Sequence, residues 1–254
     1  MTSLPVAPAS PKSASVKAVF EDSQRYLNRR LDITVRAEIV KSYASQVNFH
    51  SVLDIGCGDG SISVPLLNSR NRATLLDFSA SMTSLARSRV PAELAGHVDV
   101  RNEDFMTASF SQRFDLIVCL GVLAHADSPD QLIGKIVSLL VPGGHLILEF
   151  TDAYNFLGRL GRIIRAVHEL AAPPRFSVNL FSFDRVAQLV AAHDLRFVSQ
   201  YRYALPPIPG LGTIKRDAFY RFVRIMYGEC DDNRNTWLGN EYICMLTRGL
   251  GAPE

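Results

Sequence analysis

"VLDIGCGDGSISVPLL", residues 52–67, decides the fold. A burst of apolar residues runs into glycines at 56, 58 and 60 and out into a second apolar stretch, which reads as a strand at 52–55, a turn at 56–60 and a helix opening at Ser61. In an open parallel sheet the turn at the carboxyl end of a strand is the natural binding crevice. Glycine allows unusual backbone angles and lets a ligand approach bare peptide groups, and a helix opening at Ser61 leaves unpaired N–H groups facing that crevice. The dinucleotide fingerprint G-x-G-x-x-G does not fit, because position 61 is serine and the third glycine falls one residue early, at 60. Turn chemistry alone is the alternative for three isolated glycines.

Outward from this corner the same rhythm repeats. Short apolar runs near 73–78, 98–101, 114–120 and 145–151 read as strands, with amphipathic helices near 61–68, 80–89 and 129–140 between them. Alternation of this kind predicts a parallel α/β sheet. The runs "FDLIVCL" and "HLILEF" are nearly continuous in apolar residues, as expected where helices cover both faces. Residues 16–46 turn helix-like and charged, with a break near Leu31 and Asp32, giving two helices before the first strand. The opening "MTSLPVAPASPKSAS" cannot bury enough surface to offset the entropy of ordering it and reads as a loose tail. One domain over 16–254 results, carrying insertions at about 152–180 and 205–236.

Composition narrows the function. The chain has 254 residues, 47% of them hydrophobic, and a formal net charge of +2 without any block of like charges. A large electrostatic footprint for duplex nucleic acid is therefore not expected, and a small-molecule partner fits more easily. Cys57, Cys119, Cys230 and Cys244 are scattered without a C-x-x-C pair, which argues against disulfides and structural zinc, and no metal is expected. No run approaches the roughly 20 apolar residues of a membrane span, and no secretory signal is visible, so the chain reads as cytoplasmic without stable membrane insertion. A homodimer is compatible with this composition.

Acidic residues recur at the ends of successive strands. Asp77 closes the second strand in "TLLDFSASM", about 20 residues after the glycine turn, where a carboxylate can accept both hydroxyls of a ribose. Asp104, in "VRNEDF", closes the third, where its carboxylate and neighbouring backbone can take an adenine amine, with Phe78, Met82 and Phe105 offering flat or soft surface to the ring. Each has a plainer reading as a cap, a turn residue or core. Together they fall in register along one sheet edge.

The stretches "LDIGCGDG", "LLDFSASM", "NEDF", "FDLIVCLGVLAHADSPD" and "LLVPGGHLILEF" follow one another in an order that resembles the class I S-adenosylmethionine-dependent methyltransferases, motif by motif over about 48–150. The resemblance implies a Rossmann-like, doubly wound seven-stranded sheet whose last strand runs antiparallel, "RFVSQYRYAL" and "NEYICMLTR" being the sixth and seventh strands. It implies S-adenosylmethionine as cofactor, with Asp54, Gly56 and Gly58 beside the methionine moiety, Asp77 on the ribose, Asp104 and Phe105 on the adenine, and the Leu120 backbone at the amino-acid end. Arg36, in competition with Arg30, looks like the basic residue that some relatives offer to the methionine carboxylate.

A general base is needed only when the acceptor is still protonated, as a hydroxyl is. His125, in "VLAHADSP", is the candidate, against a structural role at that position; Tyr154, His168, Tyr201 and Tyr203 are looser candidates. In "NFLGRLGRIIRAVHEL" and "IKRDAFYRFVRIMYGE" apolar faces oppose arginines. Most of these residues read as docked on the sheet with solvated arginines; the sharper reading makes both helices lids over a mainly apolar acceptor, with an arginine meeting an anionic group on it or on a membrane surface. The expected activity is methyl transfer by in-line displacement to an oxygen of a small natural-product, sugar or lipid-like acceptor. The alternatives are an RNA or protein methyltransferase, disfavoured by "CLGVL" where a D/N-P-P-Y/F type of motif is common, a non-catalytic cofactor-binding member and, more remotely, a nicotinamide dehydrogenase.

Overall fold

The computed structural model describes residues 31–171, 178–204 and 215–250. The expected tail at 1–15, the first N-terminal helix, Arg30, residues 172–177 of the first insertion and 205–214 of the second lie outside them. Helix α1 (Ile33–Ser45) leads into β1 (Ser51–Ile55), followed by β2 (Arg72–Asp77), α2 (Ala80–Arg89), β3 (Val98–Asn102), β4 (Phe114–Cys119), α3 (Pro129–Leu139) and β5 (Leu140–Thr151). The carboxyl-terminal third adds α4 (Phe156–Ala171), α5 (Phe183–Ala192), β6 (Leu195–Tyr203), α6 (Arg216–Tyr227) and β7 (Glu241–Arg248).

The strands form one sheet in the order β3-β2-β1-β4-β5-β7-β6. Pairing is parallel from β3 through β5, whereas β7 runs antiparallel to both β5 and β6. Strand order reverses between β1 and β4, which places a crevice at their carboxyl ends. This is the seven-stranded sheet with a reversed last strand that the motifs imply.

Alternation along each strand sorts the core into two layers. Val52, Leu75, Leu116 and Val118 face one side with Val35, Ile39 and Tyr43 of α1 and Phe219 and Val223 of α6. Leu53, Leu76, Ile117 and Cys119 face the other, against Leu132 and Ile136 of α3 and Val186 and Val190 of α5. Serines set the helix starts: Ser79, Ser128 and Ser182 each accept a first-turn N–H of α2, α3 and α5. Among the described residues no helix is long and apolar enough to cross a membrane.

One expectation needs correction. No α-helix follows β1; the chain instead makes turns and a short 3-10 segment, Val64–Leu66. Pro65 supplies no N–H for a helix, and the Ser63 hydroxyl is drawn inward to donate to Asp54 at 2.6 Å. Helix α6 takes the docked arrangement, packing Phe219, Val223 and Tyr227 into the core beside α1 and leaving Ile225 and Phe222 exposed. In α4, by contrast, Phe156 and Ile163 stand 68% and 63% exposed, so that helix presents an apolar face outward.

Candidate active site

The crevice at the carboxyl ends of β1, β2 and β4 is lined by Asp54, Gly56, Gly58, Asp77, Phe78 and Met82, by Leu120, Val122 and His125, and by Ile33 and Arg36 of α1. Its cavity volume is about 100 Å³, and it opens to solvent. Nine of the residues expected from sequence therefore meet in one place: Arg36, Asp54, Gly56, Gly58, Asp77, Phe78, Met82, Leu120 and His125.

The glycine turn is shaped on both sides. Gly56 has φ +73° and a Cβ there would stand 2.6 Å from a Val122 methyl, so close packing against the β4 loop requires glycine. Gly58 has φ +54° and nothing within 4 Å of where a Cβ would stand; it borders open space in the crevice. Asp59 pins the turn from outside, its carboxylate and carbonyl both accepting from the Arg89 guanidinium at the end of α2, at 2.6 and 2.9 Å.

Asp77 is buried at the end of β2 and accepts the N–H of Gly58 at 3.0 Å and that of Ser79 at 2.8 Å. One carboxylate thus ties the glycine turn to the start of α2. Asp54, in the middle of the floor, is buried, and loss of water pushes its carboxyl up to about 7, helped by the nearby Asp77 charge and opposed by the Ser63 hydroxyl. A carboxyl held this way gains most from a cationic group in the crevice. The thiol of Cys57 is raised well above its ordinary value by burial and by the surrounding carboxylates, so it is not a nucleophile.

Arg36 is buried between two carboxylates. Its Nε stands 3.1 Å from Asp32, one turn earlier, and its terminal nitrogen pairs with Glu149 of β5. The Tyr203 hydroxyl donates to the same Asp32 at 3.1 Å. Glu149 was missed from sequence because it reads as one polar residue in the apolar run "HLILEF"; so were Ile33, Val122 and Gly121, where a Cβ would stand 3.8 Å from the terminal nitrogens of Arg36.

Asp104 and Phe105 do not line the crevice. The Asp104 carboxylate is exposed and accepts the N–H of Met106 at 2.8 Å, closing its own turn. Phe105 is buried in the layer under α3, and Lys135 of α3 donates to the carbonyls of Phe105, Met106 and Ala108 at 2.6 to 3.0 Å. Of the looser candidates, Tyr201 is fully buried and donates to Gly228 at 2.7 Å, while Tyr154 lies outside under the Arg162 guanidinium. The side chain of His168 falls outside the described residues.

His125 ends a 3-10 turn, Leu123–His125, just beyond β4, half-buried on the crevice wall. It is the one imidazole lining the described crevice.

Residues 53–146 match the family model for a methyltransferase domain. A ubiquinone biosynthesis O-methyltransferase of Coxiella burnetii is 30% identical over 139 residues, 54% of this chain and 58% of that protein. The chain thus spans a little under three-fifths of such relatives. That of Actinobacillus pleuropneumoniae is 26% identical over 206 residues, 76% of this chain and 85% of that protein. Among solved structures, magnesium protoporphyrin IX methyltransferase of Synechocystis PCC 6803 with bound SAH superposes with TM-score 0.64 at 16% identity, covering 94% of this chain and all of that one.

Proposed function

We infer that this chain is a class I S-adenosylmethionine-dependent methyltransferase, a reading supported by the match of residues 53–146 to a methyltransferase-domain model and by the fold around it, and that it transfers a methyl group from S-adenosylmethionine to an oxygen of a small, mainly apolar acceptor. The observation that carries this reading is the crevice itself: a buried carboxyl, Asp54, and a second, Asp77, flank a glycine whose missing side chain leaves open space.

The residues suit the proposed cofactor. Asp54 offers a desolvated carboxylate to an ammonium, Asp77 retains acceptor capacity for vicinal hydroxyls, and Phe78 and Met82 supply apolar wall. When bound, the cofactor supplies a methyl group made electrophilic by its sulfonium. The chain's task is then to hold the acceptor oxygen at a near-attack distance of ~3 to 3.5 Å in line with that group, which accounts for much of the rate. His125, on the wall beside Val122, is the residue that takes the hydroxyl proton. Oxygen as the acceptor atom is supported by the names of the curated relatives, and an apolar acceptor by Ile33 and Val122 on the crevice wall.

The test is incubation with methyl-labelled S-adenosylmethionine and cell extract, fractionated into small molecules, RNA and protein, beside calorimetric titration with S-adenosylhomocysteine and NAD. Label in the small-molecule fraction and binding of the homocysteine product are expected. Label confined to RNA or protein, or binding of NAD alone, overturns the reading. His125→Ala is expected to lose about 10²-fold or more in turnover with product binding retained; full turnover removes His125 as base.

A further inference from the structure

The first insertion returns to the sheet through 178–182, and that return segment grips the turn carrying His125. The N–H of Asn179 donates to Ala124 at 2.8 Å, and its side-chain amide donates to Ala126 at 2.7 Å. These carbonyls bracket His125. The peptide joining residues 124 and 125 is thereby held at both ends, its carbonyl by Asn179 and its N–H by Val122 at 2.9 Å. The next peptide is fixed by donation from Ala126 to Val122 at 3.2 Å. With both planes set, the direction of the His125 Cα–Cβ bond is set too.

The same segment is rooted at the end of β5. Asp152 accepts the N–H groups of Tyr154 and Asn155 where the insertion leaves, and Ala153 donates to Phe181 at 2.9 Å where it returns. A continuous chain of bonds thus runs from the roots of the insertion through Asn179 to the His125 turn. We propose that Asn179 is the positioning residue for His125, its N–H holding the carbonyl before that residue and its side-chain amide the Ala126 carbonyl after it, and that it ties the alignment of that imidazole to the return segment of the insertion. The inference rests on the role of His125 given above.

Imidazole nitrogen NMR of the uniformly labelled chain tests it, with the His125 signal identified by its loss in His125→Gln. Asn179→Ala and Asn179→Asp, whose carboxylate cannot donate to Ala126, are expected to move the His125 resonances. Asn179→Gln, which keeps the donor, returns them toward the native positions. Ser182→Ala removes the cap of α5 in the same segment without touching the turn, and is expected to leave them in place. Affinity for S-adenosylhomocysteine stays within about twofold throughout. Unmoved His125 signals in Asn179→Ala, or equal movement in Ser182→Ala, overturn the proposal. Failure of the native chain to bind S-adenosylhomocysteine overturns the functional reading instead and leaves the positioning result standing.

Discussion

Asp77 accepts the backbone N–H of Gly58 at 3.0 Å across nineteen positions of sequence, so the carboxylate expected to clasp a ribose also fixes the turn beneath it. Its other oxygen accepts Ser79 N–H. Asp77→Ala removes both bonds together with the ligand contact. Hydrogen bonds to a charged group contribute about 1.5 to 3 kcal/mol, so the affinity for S-adenosylhomocysteine is expected to fall about 10- to 150-fold by calorimetry. An unchanged affinity refutes the ribose assignment.

The two glycines on either side of Cys57 differ in what replaces them. Gly56→Ala combines a left-handed backbone with a Cβ 2.6 Å from Val122, so both strain and overpacking apply. Gly58→Ala carries the backbone strain alone, of about 1 to 2 kcal/mol. In thermal melts Gly56→Ala is expected to be the less stable, and adding Val122→Ala recovers the packing part only. Gly58→Val fills the crevice and is expected to abolish S-adenosylhomocysteine binding while the chain remains folded. Binding retained there means that the open space beside Gly58 is not the ligand's.

Much of this frame is legible in sequence because β1, β2 and β4 are short, largely apolar and followed by a polar corner, and because the acidic residues at 54 and 77 stand at or next to the ends of neighbouring strands. What escapes is long-range pairing. Nothing in the spacing joins Arg36 to Glu149, or Lys135 to the carbonyls of 105–108, since these meet only when the sheet brings their elements together. The adenine expectation for Asp104 and Phe105 follows from order along the chain, whereas Lys135 gathers that turn toward α3 and leaves the carboxylate facing solvent. The helix expected after β1 misleads for a local reason: its apolar period is present, but Pro65 and the inward Ser63 hydroxyl favour turns.

Arg36 is joined to Asp32 and Glu149, both almost fully buried. Removing one partner of a buried pair leaves uncompensated charge and costs about 3 to 5 kcal/mol. Arg36→Ala is therefore expected to unfold at markedly lower urea, and Arg36→Met with Glu149→Gln to recover part of the loss, since the second change removes a stranded charge. Equal midpoints for the native chain and Arg36→Ala contradict the ion pairs as structural elements. The pairs also bear on the cofactor: an arginine already held by two carboxylates has less to offer a third.

Asp54 ties the crevice to pH. Burial raises its carboxyl from 3.8 to about 7, with Asp77 pushing the same way and the Ser63 hydroxyl pulling down. Between these values the folded chain holds a proton that the unfolded chain has lost, so this group's contribution to stability is present at acid pH and declines as pH rises from about 4 to about 7. Asp54→Asn is expected to flatten that part of the profile in urea titrations. Ligand binding runs the other way. An ammonium placed beside Asp54 favours the carboxylate, so binding of S-adenosylhomocysteine at about pH 6 is expected to release a proton and at about pH 8 none. Affinity therefore rises over that interval, and the calorimetric heat at the lower pH varies with the ionisation enthalpy of the buffer. In Asp54→Asn both effects disappear. Buffer-independent heat in the native chain at about pH 6 means that the ammonium is bound elsewhere and that Asp54 serves the turn through Ser63 alone.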